Sequence, residues 1–539
     1  MKITFRNQVS ALKDCMNSFD PASQVTKINC LKNLSALPLV INEDLLHYFD
    51  TLLFLTAYPG DPAQLNITEK ELSRISAFLH RARKEMPKQL VNTGMPHTKT
   101  ITRFSHDKVR WLLHHPECNT TLEDFVDPTH TLNDVLMLTL PTIERAETTA
   151  GLENMDLMDA LKVPSSKRLW FIINELSRLD DQPYIKDHLY ERLEPIVCIT
   201  PKDKAFSKAY NRWPVGKTYF HLDLLKRIDS SIILQAALPS PVQLDTVQKE
   251  KAIRVVKNAM VLTARETDPC TYMDENSFRM YHLERGISVA IFGMVSSRQM
   301  PLESYVGYTA FKNGFPVSYG GAWIFGERAN FGINIFKPYR SGESAFIMAQ
   351  LLRVYRHVFN LHYFEVEPYQ YGLDNPDGIA SGAFWFYYRF GFRPLDKHLK
   401  EVALREAEKI STRKGYRTSH RVLTSFTTSN IGLRLGDHTP PAVTDIGAKV
   451  TAMIHRTYKG DRILAENDCR QKFMAKTRFS LPSDPAEKHV LTEVALWAEA
   501  MYIDNDRQLD LMKKMITTKP VDVYAYQDLL LRYSNPAIG

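Results

Sequence analysis

From the N-terminus to about residue 240, apolar positions recur at helical spacing. The run 45–55 is strongly apolar and stops at the turn cluster Tyr58-Pro59-Gly60-Asp61-Pro62. Thr68 stands three residues before Glu71, a capping-box spacing, and Leu72, Ile75, Phe78, Leu79 and Ala82 follow as a stripe, so a helix is expected to start at Thr68. Further helices are predicted over 105–114, 132–138 and 165–179. No repeat of fixed length supports a solenoid.

The period changes after Leu238-Pro239-Ser240-Pro241-Val242. One more helix is predicted over 246–264, and then strands over 287–294, 305–311, 315–325 and 331–336. Asn313-Gly314 is a hairpin turn signal, and 327–330 is read as a second turn. A helix over 343–359, a strand over 362–367 and a helix over 379–390 complete the unit. The basic segment 396–421 reads as a helix with a solvated face, with contact to an anionic partner as the alternative. A linker at 437–441 opens a last helical region. The fold expected is α/β (α+β): a mixed-sheet domain over 241–425 between all-helical regions at 1–240 and 426–539.

Composition narrows this little. The 539 residues, 44% apolar and 24% charged, are those of an ordinary globular chain too long for one core. A net charge of +7 permits an anionic partner such as a nucleotide and does not call for nucleic acid. The six cysteines include no CxxC pair, so reduced, buried thiols are expected, with no disulfide framework and no metal site. The N-terminus lacks an apolar signal segment and no run approaches the ~18 apolar residues of a membrane span, so a cytoplasmic location is expected. Nothing in the pattern fixes the oligomeric state.

Candidate chemistry sits between Tyr305 and Phe392. After Pro338 comes Arg340-Ser341-Gly342-Glu343-Ser344, in which Ser341 can cap the helix and Gly342 can let backbone approach a ligand. Free N–H groups at such a helix start, with Arg340 beside them, suit a pyrophosphate; plain capping is the other use. Alternation in the strand 362–367 puts Tyr363, Glu365 and Glu367 on one face. Carboxylates so close favour protonation of one of them, which suits a general base, whereas at a sheet edge they are merely solvated. Glu327 is a second candidate base. The loop 368–378 is long for a strand-to-helix connection and carries Tyr369, Tyr371 and Asn375, as an acceptor-binding lid would.

The closing segment reads Ala383-x-x-x-Tyr387-x-Arg389-x-Gly391-Phe392. Together with the preceding element order, it resembles the GNAT superfamily of N-acetyltransferases over about 246–395. The resemblance implies that Arg340, Ser341, Gly342 and Ser344 hold the pyrophosphate of an acyl-CoA or acetyl-CoA cosubstrate. It implies that backbone N–H groups of 333–336, Ile335 and Phe336 among them, polarise the thioester carbonyl. Tyr387 would protonate the departing thiolate, and Glu365 or Glu367 would deprotonate the acceptor amine. The chain departs from the superfamily pattern at Glu343, where a glycine is usual, and at Ala380, where an asparagine is usual. Two readings therefore stay open: an acyltransferase acting by direct attack, or a non-catalytic GNAT-like scaffold or ligand sensor. As a whole the chain also resembles large bacterial proteins of uncharacterised function, which implies no activity.

Overall fold

In the computed structural model, residues 4–83, 87–126, 129–152 and 154–535 are described. The chain opens with four helices, Phe5–Cys15, Pro21–Ala36, Glu43–Ala57 and Pro62–Ala82. The fourth starts six residues before the expected Thr68. Asp61 caps it by accepting from the Gln64 N–H at 2.8 Å, with Pro62 in the first turn, where its missing N–H costs nothing. Thr68 and Glu71 are interior and buried instead, and Glu71 accepts from the Tyr48 hydroxyl at 2.9 Å.

The N-terminal region is mainly helical but not all-helical. Strands β1 (Thr100–Thr102), β2 (Cys118–Phe125) and β3 (Pro195–Pro201) form an antiparallel sheet in the order β1-β3-β2. Two of them leave little trace in the sequence: β1 is three residues long, and β2 buries only Cys118 fully.

An eight-stranded sheet forms the centre: β4 (Arg279–His282), β5 (Ile287–Phe292), β6 (Ser304–Lys312), β7 (Phe315–Phe325), β8 (Arg328–Ile335), β9 (Tyr363–Val366), β10 (Arg393–Pro394) and β11 (Ile431–Arg434). Its order is β10-β11-β9-β8-β7-β6-β5-β4. Only the β8–β9 pair is parallel, so the sheet is mixed, as expected. The predicted turn at 327–330 shrinks to Gly326-Glu327, because β8 begins at Arg328. Asn313 and Gly314 turn between β6 and β7 with φ of 47° and 82°, the left-handed region that a tight hairpin demands. The Asn313 side chain reaches beyond the sheet: its amide donates to Ala57 O and Tyr219 O at 3.0 Å.

β11 comes from beyond residue 425, so the C-terminal region also contributes a strand. The predicted helix 379–390 is broken into Pro376–Ser381 and Ala383–Phe390 by Gly382, at φ 65°. The apolar cores divide the chain differently from 1–240, 241–425 and 426–539. One core joins the four N-terminal helices to the central sheet, a second gathers residues of about 104–206 with Val261 and Leu262, and a third holds the helices from Ile446 on together with Leu302 and Phe325. All six cysteines are free thiols. No described helix is long and apolar enough to cross a membrane.

Candidate functional site

The parallel pair β8–β9 is short. Only Arg328, Ala329 and Asn330 are in register with Tyr363, Phe364 and Glu365. β9 then turns away at Glu367-Pro368, while β8 runs on to Ile335 paired with β7 alone on its other side. The strands part because Pro368 has no N–H to continue a ladder and starts a 3-10 turn, Pro368–Tyr371.

A cleft of ≈ 780 Å³ elsewhere is lined from both sides by balanced ion pairs, but the parting of β8 and β9 opens into a larger one of ≈ 980 Å³. Its walls are the second half of β8, the Lys337–Tyr339 turn, the Pro368–Tyr371 turn and the Pro376–Ser381 helix. The end of the Thr246–Leu262 helix, with Thr263 and Arg265, faces them. Four cations line it (Lys208, Arg265, Lys337, Arg340) against two carboxylates (Glu266, Asp377). Glu266 is already engaged, accepting from the Ser105 N–H and from the Ser105 and Thr271 hydroxyls. Arg265, Lys337 and Arg340 are exposed, so the mouth of the cleft is positive.

Inside it, two donors meet on one oxygen. The Ile333 N–H and the Tyr387 hydroxyl each donate to Gln370 Oε1 at 3.2 Å. Tyr387 is buried behind Gln370, 3% exposed, and burial lifts its phenol well above the ordinary value, so the proton stays on. Of the expected 333–336 amides, Phe336 is bonded instead to Val317 O. Gln370 lies in the loop that the sequence marks as long, but nothing in its spacing singles it out. Lys208 and Arg265 come from outside the 305–392 stretch, and nothing in the sequence marks either of them.

The residues expected to hold the cosubstrate separate. Ile335, Phe336 and Arg340 line the cleft; Ser341, Gly342 and Ser344 are not among its lining residues. Arg340 donates from Nε to Ile335 O at 3.3 Å. Ser341 does not cap the helix: the cap position is Glu343, and the Ser344 hydroxyl donates to Arg340 O. Gly342 meets protein, since a Cβ there would lie 2.5 Å from Tyr58 Cζ.

Glu343 itself turns away from the cleft. It is fully buried and accepts from Lys312 Nζ at 2.6 Å, from Arg285 Nε at 2.9 Å and from the Leu225 N–H at 3.0 Å. Burial raises its pKa, but Lys312 and these hydrogen bonds outweigh that and hold the carboxyl below its ordinary value. Burial pushes Lys312 down to about 8 against the pull of Glu343. His221, 3.9 Å from Glu343, is held neutral by burial and by Lys312.

The two candidate bases fare differently. Glu365 is buried, ion-paired with Arg328, and accepts from Asn430 Nδ2 at 2.5 Å. Glu367 is half-buried and accepts from Asn330 Nδ2 at 2.6 Å. Glu327 lies at the other end of β8, 3.2 Å from His438. Of the expected lid, Tyr369 and Asn375 line the cleft. Asn375 also holds the loop, donating to Tyr369 O at 3.0 Å. Tyr371 is buried against Phe384 and Tyr387, and its hydroxyl donates to Ser429 O, so it anchors the loop from beneath.

Compared with family models, with curated proteins and with solved structures, the chain finds no match.

Proposed function

We propose that the cleft binds an acyl-thioester and that the protein is an acyltransferase of the GNAT type. The observation that carries this reading is the convergence of the Ile333 N–H and the Tyr387 hydroxyl on one carbonyl oxygen where β8 and β9 part. Two donors aimed at one such oxygen suit the charge that develops on a thioester carbonyl under attack. The acceptor amine bonds to the carbonyl carbon and passes its surplus proton to the base, the C–S bond breaks, and the leaving sulfur takes the Tyr387 proton, which solvent then restores. Neither carboxylate of the pair lines the cleft, and Glu367 is the better base of the two, because Arg328 already neutralises Glu365. Arg265, Lys337 and Arg340 at the mouth suit the phosphates of CoA.

Binding without turnover is the second reading. It is favoured by the position of Ser341, Gly342 and Ser344 outside the cleft and by the Arg328–Glu365 pair. Thermal shift with CoA, acetyl-CoA and a long-chain acyl-CoA tests both. A thioester at a hundred times its dissociation constant stabilises by about 2.7 kcal/mol, and no shift with any of them refutes the site. Tyr387→Phe is expected to lower turnover about 10²-fold or more while acetyl-CoA binding stays within a few-fold. Unchanged turnover removes Tyr387 from the mechanism, and absence of turnover in the wild type alongside binding selects the second reading.

A further inference from the structure

Gln370 carries a feature that the reaction does not need. Its side-chain amide presents a carbonyl oxygen, and both donors of the site are bonded to it. The Ile333 N–H can only donate, so the oxygen rather than the NH2 group must face it, and the Tyr387 hydroxyl donates to that same oxygen. On the other side, Gly332 leaves room for the amide: a Cβ there would lie 3.1 Å from Gln370 Nε2. The backbone around it is fixed. The Gln370 N–H donates to Glu367 O at 3.0 Å, and the next residue, Tyr371, is buried and tied to Ser429 O. The side chain can therefore leave by rotating about its own bonds while the turn stays in place.

Resting on the acyl-thioester reading of the cleft, we infer that Gln370 is a built-in competitor, its amide carbonyl standing in the place of the thioester carbonyl. An incoming thioester must displace it before the Ile333 N–H and Tyr387 hydroxyl can act. Displacement exchanges two hydrogen bonds for two equivalent ones, so the plug weakens binding without blocking it. It also keeps the buried Tyr387 hydroxyl partnered whenever no thioester is in place, since an unpaired buried hydroxyl is costly. The plug thus lowers the affinity only of ligands that offer a carbonyl oxygen at this depth. CoA, which ends in a thiol, leaves the Gln370 oxygen in place, whereas acetyl-CoA must displace it.

The test is calorimetric titration of full-length wild type, Gln370→Ala and Gln370→Met with CoA and with acetyl-CoA. Methionine keeps the length of the side chain but offers no carbonyl, which guards against an alanine variant that fails to fold. CoA is expected to bind wild type and both variants about equally. Both variants are expected to bind acetyl-CoA about tenfold more tightly than wild type, the effect of about one net hydrogen bond. If wild type binds acetyl-CoA and the variants bind it equally or more weakly, the plug is refuted and the acyl-thioester reading stands. If no form binds either compound, the reading of the cleft fails and the plug fails with it.

Discussion

Glu343 shows how one side chain can remove an apparent contradiction. A carboxylate at the start of a phosphate-binding helix is unfavourable, but here it faces inward to Lys312 and Arg285. Removing one member of a buried pair leaves the other charge uncompensated, so Glu343→Gln is expected to cost about 3–5 kcal/mol, measured by urea unfolding at neutral pH. The pH dependence follows from the lowered carboxyl. The unfolded chain, with the ordinary value of 4.5, takes up the proton before the folded one does. The contribution is therefore complete above pH 4.5 and is lost as the pH falls toward the lower folded value. The gap between wild type and Glu343→Gln should narrow below pH 4.5; a gap that is constant with pH contradicts the assignment.

Among the elements, the parting of β8 and β9 depends on what holds β9 from its other edge. β11 does so, pairing Ile431 with Val366 and Leu433 with Phe364. Ile431→Ala is expected to cost about 2–5 kcal/mol, since the residue is 1% exposed. Hydrogen exchange should show the β9 amides opening faster while β5 to β7 stay protected; uniform acceleration contradicts this. Much of the sheet was legible. Asn313-Gly314 and the strand-like runs of β5 to β8 set a meander whose pairing is local. β11 was not legible: Ile431-Gly432-Leu433-Arg434 is a strand only because β9 and β10 leave a slot for it, and no local pattern carries that information. The helix break at Gly382 is visible in hindsight as a glycine within a periodic run, but Ile379 and the aromatic run after it masked it. At the site, Tyr387 and Arg340 came from pattern, whereas Gln370 was found only through distances.

Over the whole molecule, buried polar contacts tie the C-terminal helices to the central sheet. Gln527, 2% exposed, makes two of them: its amide donates to Gly326 O and, at 3.1 Å, to Phe359 O. These contacts join the last helix, Val523–Ser534, to the turn before β8 and to the end of the Ser344–Phe359 helix. Gln527→Leu leaves both carbonyls without that donor, at about 1–3 kcal/mol each. The C-terminal helices should then detach more readily, giving faster protease cleavage at 436–441, and an unchanged rate refutes this role.

The Asn313 contact with Ala57 O joins residues 256 apart in the chain. During synthesis at about 5–20 residues per second, the helix Glu43–Ala57 leaves the ribosome roughly ten to fifty seconds before its partner turn exists. Leu45, Phe49, Leu52 and Phe54, fully or almost fully buried in the finished protein, must wait out that interval before the shared core with the sheet is complete. Codon changes that slow translation between these two points would lengthen that interval.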